Sequence, residues 1–254
     1  MPIEIFEAPQ LLDYGGWTEL PAISAETPTP VDGVIVGSAW GKNTVPTFEV
    51  NKTIDIKRKL MYGFYHDVNY CADWRDMARL WLANALDMGA QAIYLDYERS
   101  SRSDLEADPG GNANRAAAII QWLQDRFAGD VGIYANFNDY VVSFAPYIHD
   151  HGDISYWVTW PDDKPDFNSA DFDEWERKTG RTAGDYTFEQ FTWKLYAPDY
   201  GVTNEKLGMD GNIYLGTHGE LDEYLRLTVP EPPPPTQTDT QGCLNAIRNT
   251  ILRI

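Results

Sequence analysis

The sequence predicts an α/β protein: an irregular (β/α) barrel of about eight strands, followed by a proline-rich linker and a short C-terminal helix. Short apolar runs of strand type alternate with segments of helical periodicity from residue 11 to residue 215, the alternation expected of a closed or open parallel sheet. One of these runs, Gln91-Ala-Ile-Tyr-Leu-Asp-Tyr-Glu98, ends in two carboxylates spaced i, i+2. Side chains on a strand alternate faces, so Asp96 and Glu98 emerge together. Parallel α/β proteins place their chemistry at such strand mouths, because the loops there vary without disturbing the core.

Taken in order, the first strand is Leu11-Leu-Asp-Tyr14, ending at the turn-permitting pair Gly15-Gly16. Gly33 to Ser38 and Leu60 to His66 supply the second and third. Asp73 is placed to cap a helix whose buried face is Met77, Leu80, Trp81, Ala85 and Met88, stopped at Gly89. The strand carrying the acid pair follows directly. Residues 101 to 111 read as a polar loop at the mouth. Asn112 or Asn114 then opens a helix with the stripe Ala116, Ile119, Ile120, Leu123 and Phe127, ended at Gly129. Val131 to Asn136, Ile154 to Trp160, Phe188 to Lys194 and Asn212 to Leu215 are the remaining strands. Residues 161 to 185 form an elaborated loop with one short helix around Trp175.

After Val229 the character changes. Pro230-Glu-Pro-Pro-Pro-Pro235 is a polyproline segment running into polar residues, so 1–228 reads as the barrel domain and 229–242 as a semi-rigid linker. In 243–254, Leu244, Ile247, Ile251 and Ile254 fall on an a/d heptad seam. A segment this short does not hold an isolated helix in water. It reads as an association handle, for self-oligomerisation or for docking on a partner, against the alternative of a frayed tail.

Composition narrows the partners. Acidic residues number 39 against 20 basic, a formal charge of -19, which argues against nucleic acid or an anionic membrane surface. No stretch reaches the ~20 apolar residues of a transmembrane helix. The N-terminus shows neither a basic n-region nor an apolar h-region, so the expectation is a chain made in the cytoplasm without a signal peptide. Cys71 and Cys243 match no metal spacing and His66 stands alone, so neither metal nor cofactor is expected.

From about residue 8 to 228 the chain resembles the glycoside hydrolase family 25 lysozymes, N-acetylmuramidases that cut the peptidoglycan glycan strand. The resemblance rests on an ordered set. Leu12-Asp-Tyr-Gly-Gly-Trp17 looks like the family's opening strand, Gly63-Phe-Tyr-His66 like its Gly-x-Tyr-His strand and Tyr94-Leu-Asp-Tyr-Glu98 like its Asp-x-Glu strand end. Gly132-Ile-Tyr-Ala-Asn136 and Tyr156-Trp-Val158 match the next two strands. Glu189-Gln-Phe191 resembles the Trp-Gln-Tyr strand, and Met209 to Gly216 the closing segment. The chain departs from the pattern at Gly37-Ser-Ala-Trp-Gly41, where the family has Lys-Ala-Thr-Glu-Gly, at Glu189 in place of Trp, and over 161–185. These changes surround the groove rather than the acid pair.

The resemblance implies hydrolysis of the β-1,4 bond between N-acetylmuramic acid and N-acetylglucosamine. Such a reaction needs an acid for the leaving oxygen and a negative group beside the oxocarbenium-like centre. Glu98 is the expected acid. Asp96 is the expected stabiliser, of that centre or of an oxazolinium ion formed by the sugar's acetamido group. Asp13 and Asp210, from the first and last strands, are expected to orient the sugar or tune Glu98, since like charges in one pocket oppose full ionisation. Tyr65, Tyr134, Tyr97 and Trp157 are the aromatic residues expected to bind sugar faces, with Asn136 and Gln190 as polar contacts. Tyr14 and Trp160 are further candidates. The partner is then the glycan strand, and the tail suggests a phage lysin or an enzyme mounted on the virion through residues 243–254. Two other classes fit less well. Family 18 chitinases end a strand in Asp-x-x-Asp-x-Asp-x-Glu, whose two earlier acids are Gln91 and Tyr94 here. A catalytically idle glycan-binding protein would keep the fold without the chemistry.

Overall fold

Nine strands build one sheet that closes on itself in the computed structural model, which describes residues 10–14, 32–65, 73–98, 108–136, 139–140, 144, 146, 154–159, 177, 186–195 and 209–227. The strands are β1 (Gln10–Tyr14), β2 (Gly33–Trp40), β3 (Asn43–Thr44), β4 (Lys59–Phe64), β5 (Ala92–Asp96), β6 (Asp130–Asn136), β7 (Ser155–Thr159), β8 (Tyr186–Leu195) and β9 (Met209–Tyr214). Their order is β1-β9-β8-β7-β6-β5-β4-β2, closed by β1 pairing with β2, with the two-residue β3 added to β2. The expected barrel of eight strands is therefore present. One feature was not expected: β9 runs antiparallel to both β8 and β1, whereas the other seven barrel strands are mutually parallel.

Strand alternation divides the core into two clusters. Leu11, Ile35, Leu60, Ala92, Tyr94, Trp157 and Phe188 point into the barrel. Their sequence neighbours Leu12, Val34, Val36, Met61, Ile93 and Leu95 point out and are covered by helices. Helix α2 (Trp74–Met88) begins and ends where expected: Asp73 accepts from the Arg75 amide at 2.9 Å, and Gly89 terminates it at φ 68°, a conformation open to glycine. Met77, Trp81, Ala85 and Met88 are buried on its inner face, and Leu80 is partly so. Helix α3 (Pro109–Gln124) starts earlier than Asn112 and ends before Gly129. Asp108 is its N-cap, accepting from the Gly111 amide at 3.0 Å, and Pro109 occupies the first turn, where no N–H is needed.

Two helices were not anticipated. Helix α1 (Phe48–Asn51) is a single turn after β3. Helix α4 (His218–Tyr224) opens on a capping box, Thr217 with Glu220, a signal present in the sequence. Leu221 and Leu225 join the inner cluster, so α4 plugs the barrel at the end where the parallel strands begin. The Tyr224 hydroxyl donates to Asp130 at the start of β6 and lies 2.6 Å from the Tyr94 hydroxyl, and Asp222 pairs with Arg58 just before β4 at 2.7 Å. The opposite end stays open, which leaves it to carry the site. The expectations for Gly15-Gly16, His66, Cys71, 101–107, Trp160, the 161–185 loop apart from Arg177, the linker 229–242 and the segment 243–254 with Cys243 lie outside the described residues. No helix among the described residues is long and apolar enough to cross a membrane.

Candidate active site

At the open end, one pocket of about 220 Å³ is lined by Asp13, Asp96, Glu98 and Asp210 together with aromatic and small residues. Asp13 lies near the C-terminal end of β1 and Asp96 ends β5. Glu98 stands two residues past the strand, yet the chain there is still tied to the barrel: the Tyr97 amide donates to the Tyr134 carbonyl at 2.7 Å. The alternation therefore carries on, and Glu98 stays on the face of Asp96. Asp210 comes from the beginning of its strand. Because β9 runs in reverse, its beginning lies at the mouth where the other strands end, and Asp210 sits opposite Asp13 in register.

All four carboxyls are pushed above their ordinary range. For Asp13 the causes are burial, then the charges of Asp210 and Glu98. Burial also leads for Asp96, followed by Glu98, Asp13, Asp210 and Asp139. Asp210 rises to about 7 through burial and Glu98, restrained by a hydrogen bond from Gln190. Glu98 is raised by burial and by the charge of Asp139, and lowered by hydrogen bonds from Asn136 and Tyr134. The upward push is thus not concentrated on Glu98, and it reaches Glu98 through burial and Asp139 rather than through Asp13 and Asp210. Such coupled groups titrate as a set, in which burial favours the protonated forms.

Polar side chains knit the acids together. The Tyr134 hydroxyl has one proton and two acceptors in reach, Glu98 and Gln190 Oε1, the latter at 2.6 Å. Gln190 in turn restrains Asp210, so β6, β8 and β9 are connected through one chain of polar groups. Asn136 Nδ2 donates to Glu98 Oε1 at 3.2 Å. Trp157 lines the pocket with its indole N–H donated to Asn212 Oδ1 at 2.9 Å. It meets Tyr134 and Tyr62 at ring-centroid distances of 4.4 and 6.2 Å. Asp13 Oδ1 and Asp96 Oδ1 are buried without a hydrogen-bond partner among the described residues, in two side chains that line the pocket.

Of the expected contacts, Tyr134 and Trp157 line the pocket, while Asn136 and Gln190 hold its polar groups. Tyr65 and Tyr97 are elsewhere. Their rings stack 5.5 Å apart in the outer cluster, the Tyr65 hydroxyl donating to Asn112 Oδ1 at 3.1 Å and Tyr97 meeting Phe144. The physical reason is parity: both residues are one step out of phase with the inward-facing Phe64, Asp96 and Glu98. The side chain of Tyr14 and all of Trp160 lie outside the described residues. Sequence reasoning missed Tyr62, Phe64, Trp40, Ala39, Gly37 and Val45, which complete the lining. Alternation from Leu60 would have found Tyr62 and Phe64.

The barrel has counterparts among solved structures. The chain superposes on a bacterial lysozyme from Streptomyces coelicolor with a TM-score of 0.64 at 16% identity, covering 87% of this chain and 98% of that one. The fold is that of the family 25 glycoside hydrolases. A family GH25 lysozyme from Aspergillus fumigatus matches with a TM-score of 0.64 at 13% identity, covering 86% and 99% of the two chains. The CTP1L endolysin matches with a TM-score of 0.59 at 15% identity, covering 86% of this chain and 69% of that one. No family model matches the sequence, and no curated protein matches it. At 13–16% identity, the likeness to these structures is one of fold.

Proposed function

We propose that the protein is a glycoside hydrolase that cleaves peptidoglycan, a muramidase acting on the β-1,4 bond between N-acetylmuramic acid and N-acetylglucosamine. The observation that carries this reading is the convergence of Asp13, Asp96, Glu98 and Asp210 on one aromatic-lined pocket, from strands at the two ends and the middle of the chain. Glu98 is half-buried at the rim, whereas Asp96 is buried beneath it. Glu98 is therefore the carboxyl a glycosidic oxygen can reach, and it donates the proton to the leaving group. Asp96 faces the developing positive centre, or the oxazolinium ion if the acetamido group attacks first. Asp13 and Asp210 line the same pocket beside them and orient the sugar.

The biological setting we propose is a phage lysin or virion-associated lysozyme acting on the bacterial cell wall. The likeness to an endolysin supports it, as does the polyproline linker leading to the heptad seam at 243–254. The deciding experiment is Glu98→Gln assayed on purified peptidoglycan. Release of reducing ends should fall by about 10²–10⁴-fold with an unchanged circular dichroism spectrum. Undiminished cleavage by that variant would remove the reading. Mass spectrometry of fragments from the parent enzyme then identifies the sugar at the new reducing end: a muramic acid end supports the bond named here, a glucosamine end excludes it.

A further inference from the structure

A fifth carboxylate stands behind the four that line the pocket. Asp139 is 1% exposed, and it holds the side chain of Asn136 on two edges. The Asp139 backbone amide donates to Asn136 Oδ1 at 3.0 Å, and Asn136 Nδ2 donates to Asp139 Oδ2 at 2.6 Å. An amide side chain can flip only if both its edges accept the exchange. Here the backbone N–H requires the oxygen on its side and the carboxylate requires the NH₂ on the other. With one Nδ2 proton committed to Asp139, the second is donated to Glu98 Oε1 at 3.2 Å.

This arrangement dictates which oxygen of Glu98 carries the acidic proton. Nδ2 only donates, so Glu98 Oε1 has to accept, and in a neutral carboxyl the carbonyl oxygen is the better acceptor. We propose that Asp139 and Asn136 form a positioning pair that holds Glu98 in one rotamer with its proton on Oε2, for delivery to a glycosidic oxygen. The Tyr134 hydroxyl also reaches this carboxyl. The proposal rests on the reading of Glu98 as the acid. Neither residue touches the bond that breaks. Proton donation is from Glu98 Oε2 to the leaving oxygen, and the pair keeps Oε1 engaged throughout, as acceptor before the transfer and as a stabilised carboxylate oxygen after it.

Asp139 also bears on the same carboxyl through its charge, raising Glu98 and Asp96 together. The other titratable groups gathered with Glu98 on this pocket are Asp13 on β1, Tyr62 on β4, Asp96 on β5, Tyr134 on β6 and Asp210 on β9. Of the carboxyls among these, Asp96 also feels the Asp139 charge, so substituting Asp139 acts on Glu98 and Asp96 together.

The test uses Asp139→Asn, which keeps an oxygen to accept from Asn136 and removes the charge, and Asn136→Ala, which breaks the link. Asp139→Asn should move both limbs of the pH–activity profile on peptidoglycan to lower pH with little change in Tm. Asn136→Ala should lower kcat about tenfold or more with KM nearly constant, because misplacing an acid costs rate rather than binding. A ¹³C NMR titration of Glu98 in the full chain reads the same displacement without an activity assay, which separates failure of this proposal from failure of the muramidase reading. If the Asp139→Asn profile and titration superimpose on those of the parent, the pair is no more than a loop cap and the proposal is overturned. A uniform loss of activity and Tm at every pH would overturn it equally.

Discussion

Asp13 and Asp210 are direct partners across the antiparallel β1–β9 pair, placing two acids from opposite ends of the domain side by side in one pocket. Like charges opposed across strands are destabilising, and here both are also withdrawn from water. Both carboxyls are pushed upward, which favours their protonated forms over charge separation. Asp210 holds its proton up to about pH 7, whereas an unfolded chain releases it near the ordinary 3.8.

The sign of the resulting pH dependence follows. Between these two values the native state binds more protons than the unfolded state, so stability falls as pH rises through that window. Below it both states are protonated and no penalty remains. Asp210→Asn deletes this contribution. Its Tm should coincide with that of the parent at pH 4 and exceed it at pH 8, by about 2–4 °C for each kcal/mol relieved. Calorimetry at the two pH values checks this. An equal Tm shift at both would show that the change acts through packing and not through the proton.

Gly63 illustrates a motif residue whose role is packing. A Cβ at this position would land on the indole of Trp81, which is fully buried between α2 and the barrel. Trp81 cannot swing aside, because its N–H is donated to the Gly41 carbonyl at 2.9 Å. Gly63→Ala should therefore destabilise the fold by about 1–3 kcal/mol, the usual cost of overpacking. Urea denaturation measures it. Pairing the change with Trp81→Phe should recover part of the loss if the indole is the obstacle.

Much of this architecture was legible because local signals and tertiary demands agreed. Asp73 and Gly89 bracket α2 as cap and stop, and the Asp-x-Glu spacing put both acids on one face. Where the reading went astray, a local signal was passed over or a tertiary choice left no local trace. The start of α3 is marked by Asp108-Pro109, a cap followed by a first-turn proline, a stronger signal than Asn112 or Asn114 further on. Tyr65 and Tyr97 have the chemistry of groove residues, but strand parity turns them outward. The reversal of β9 has no such signature, since a short buried strand reads alike in either direction. Only the pairing of Asp13 with Asp210 reveals why an acid at the start of a strand reaches a mouth built from strand ends. Asp139 was invisible for a similar reason: it acts through Asn136, and nothing in the sequence distinguishes it from an ordinary capping aspartate.

Trp40 presents an uncharged aromatic side chain to the pocket. It ends β2, packs against Phe64 with ring centroids 5.1 Å apart and, with Phe64, Val45 and Ala39, forms an uncharged wall between Asp13 on one side and the Asp96–Glu98 pair on the other. An aromatic wall offers a flat apolar surface to the face of a sugar ring but no fixed charge to a carboxylate. Trp40→Ala should then raise KM by roughly five- to tenfold, the loss of about 1–1.4 kcal/mol of stacking. The value of kcat should stay within a factor of about two, because the wall binds ground state and transition state alike. Trp40→Phe should recover most of the affinity. Steady-state kinetics on soluble glycan oligomers distinguishes the outcomes: a fall in kcat with KM unchanged would mean that Trp40 shapes the acid pair and not the sugar site.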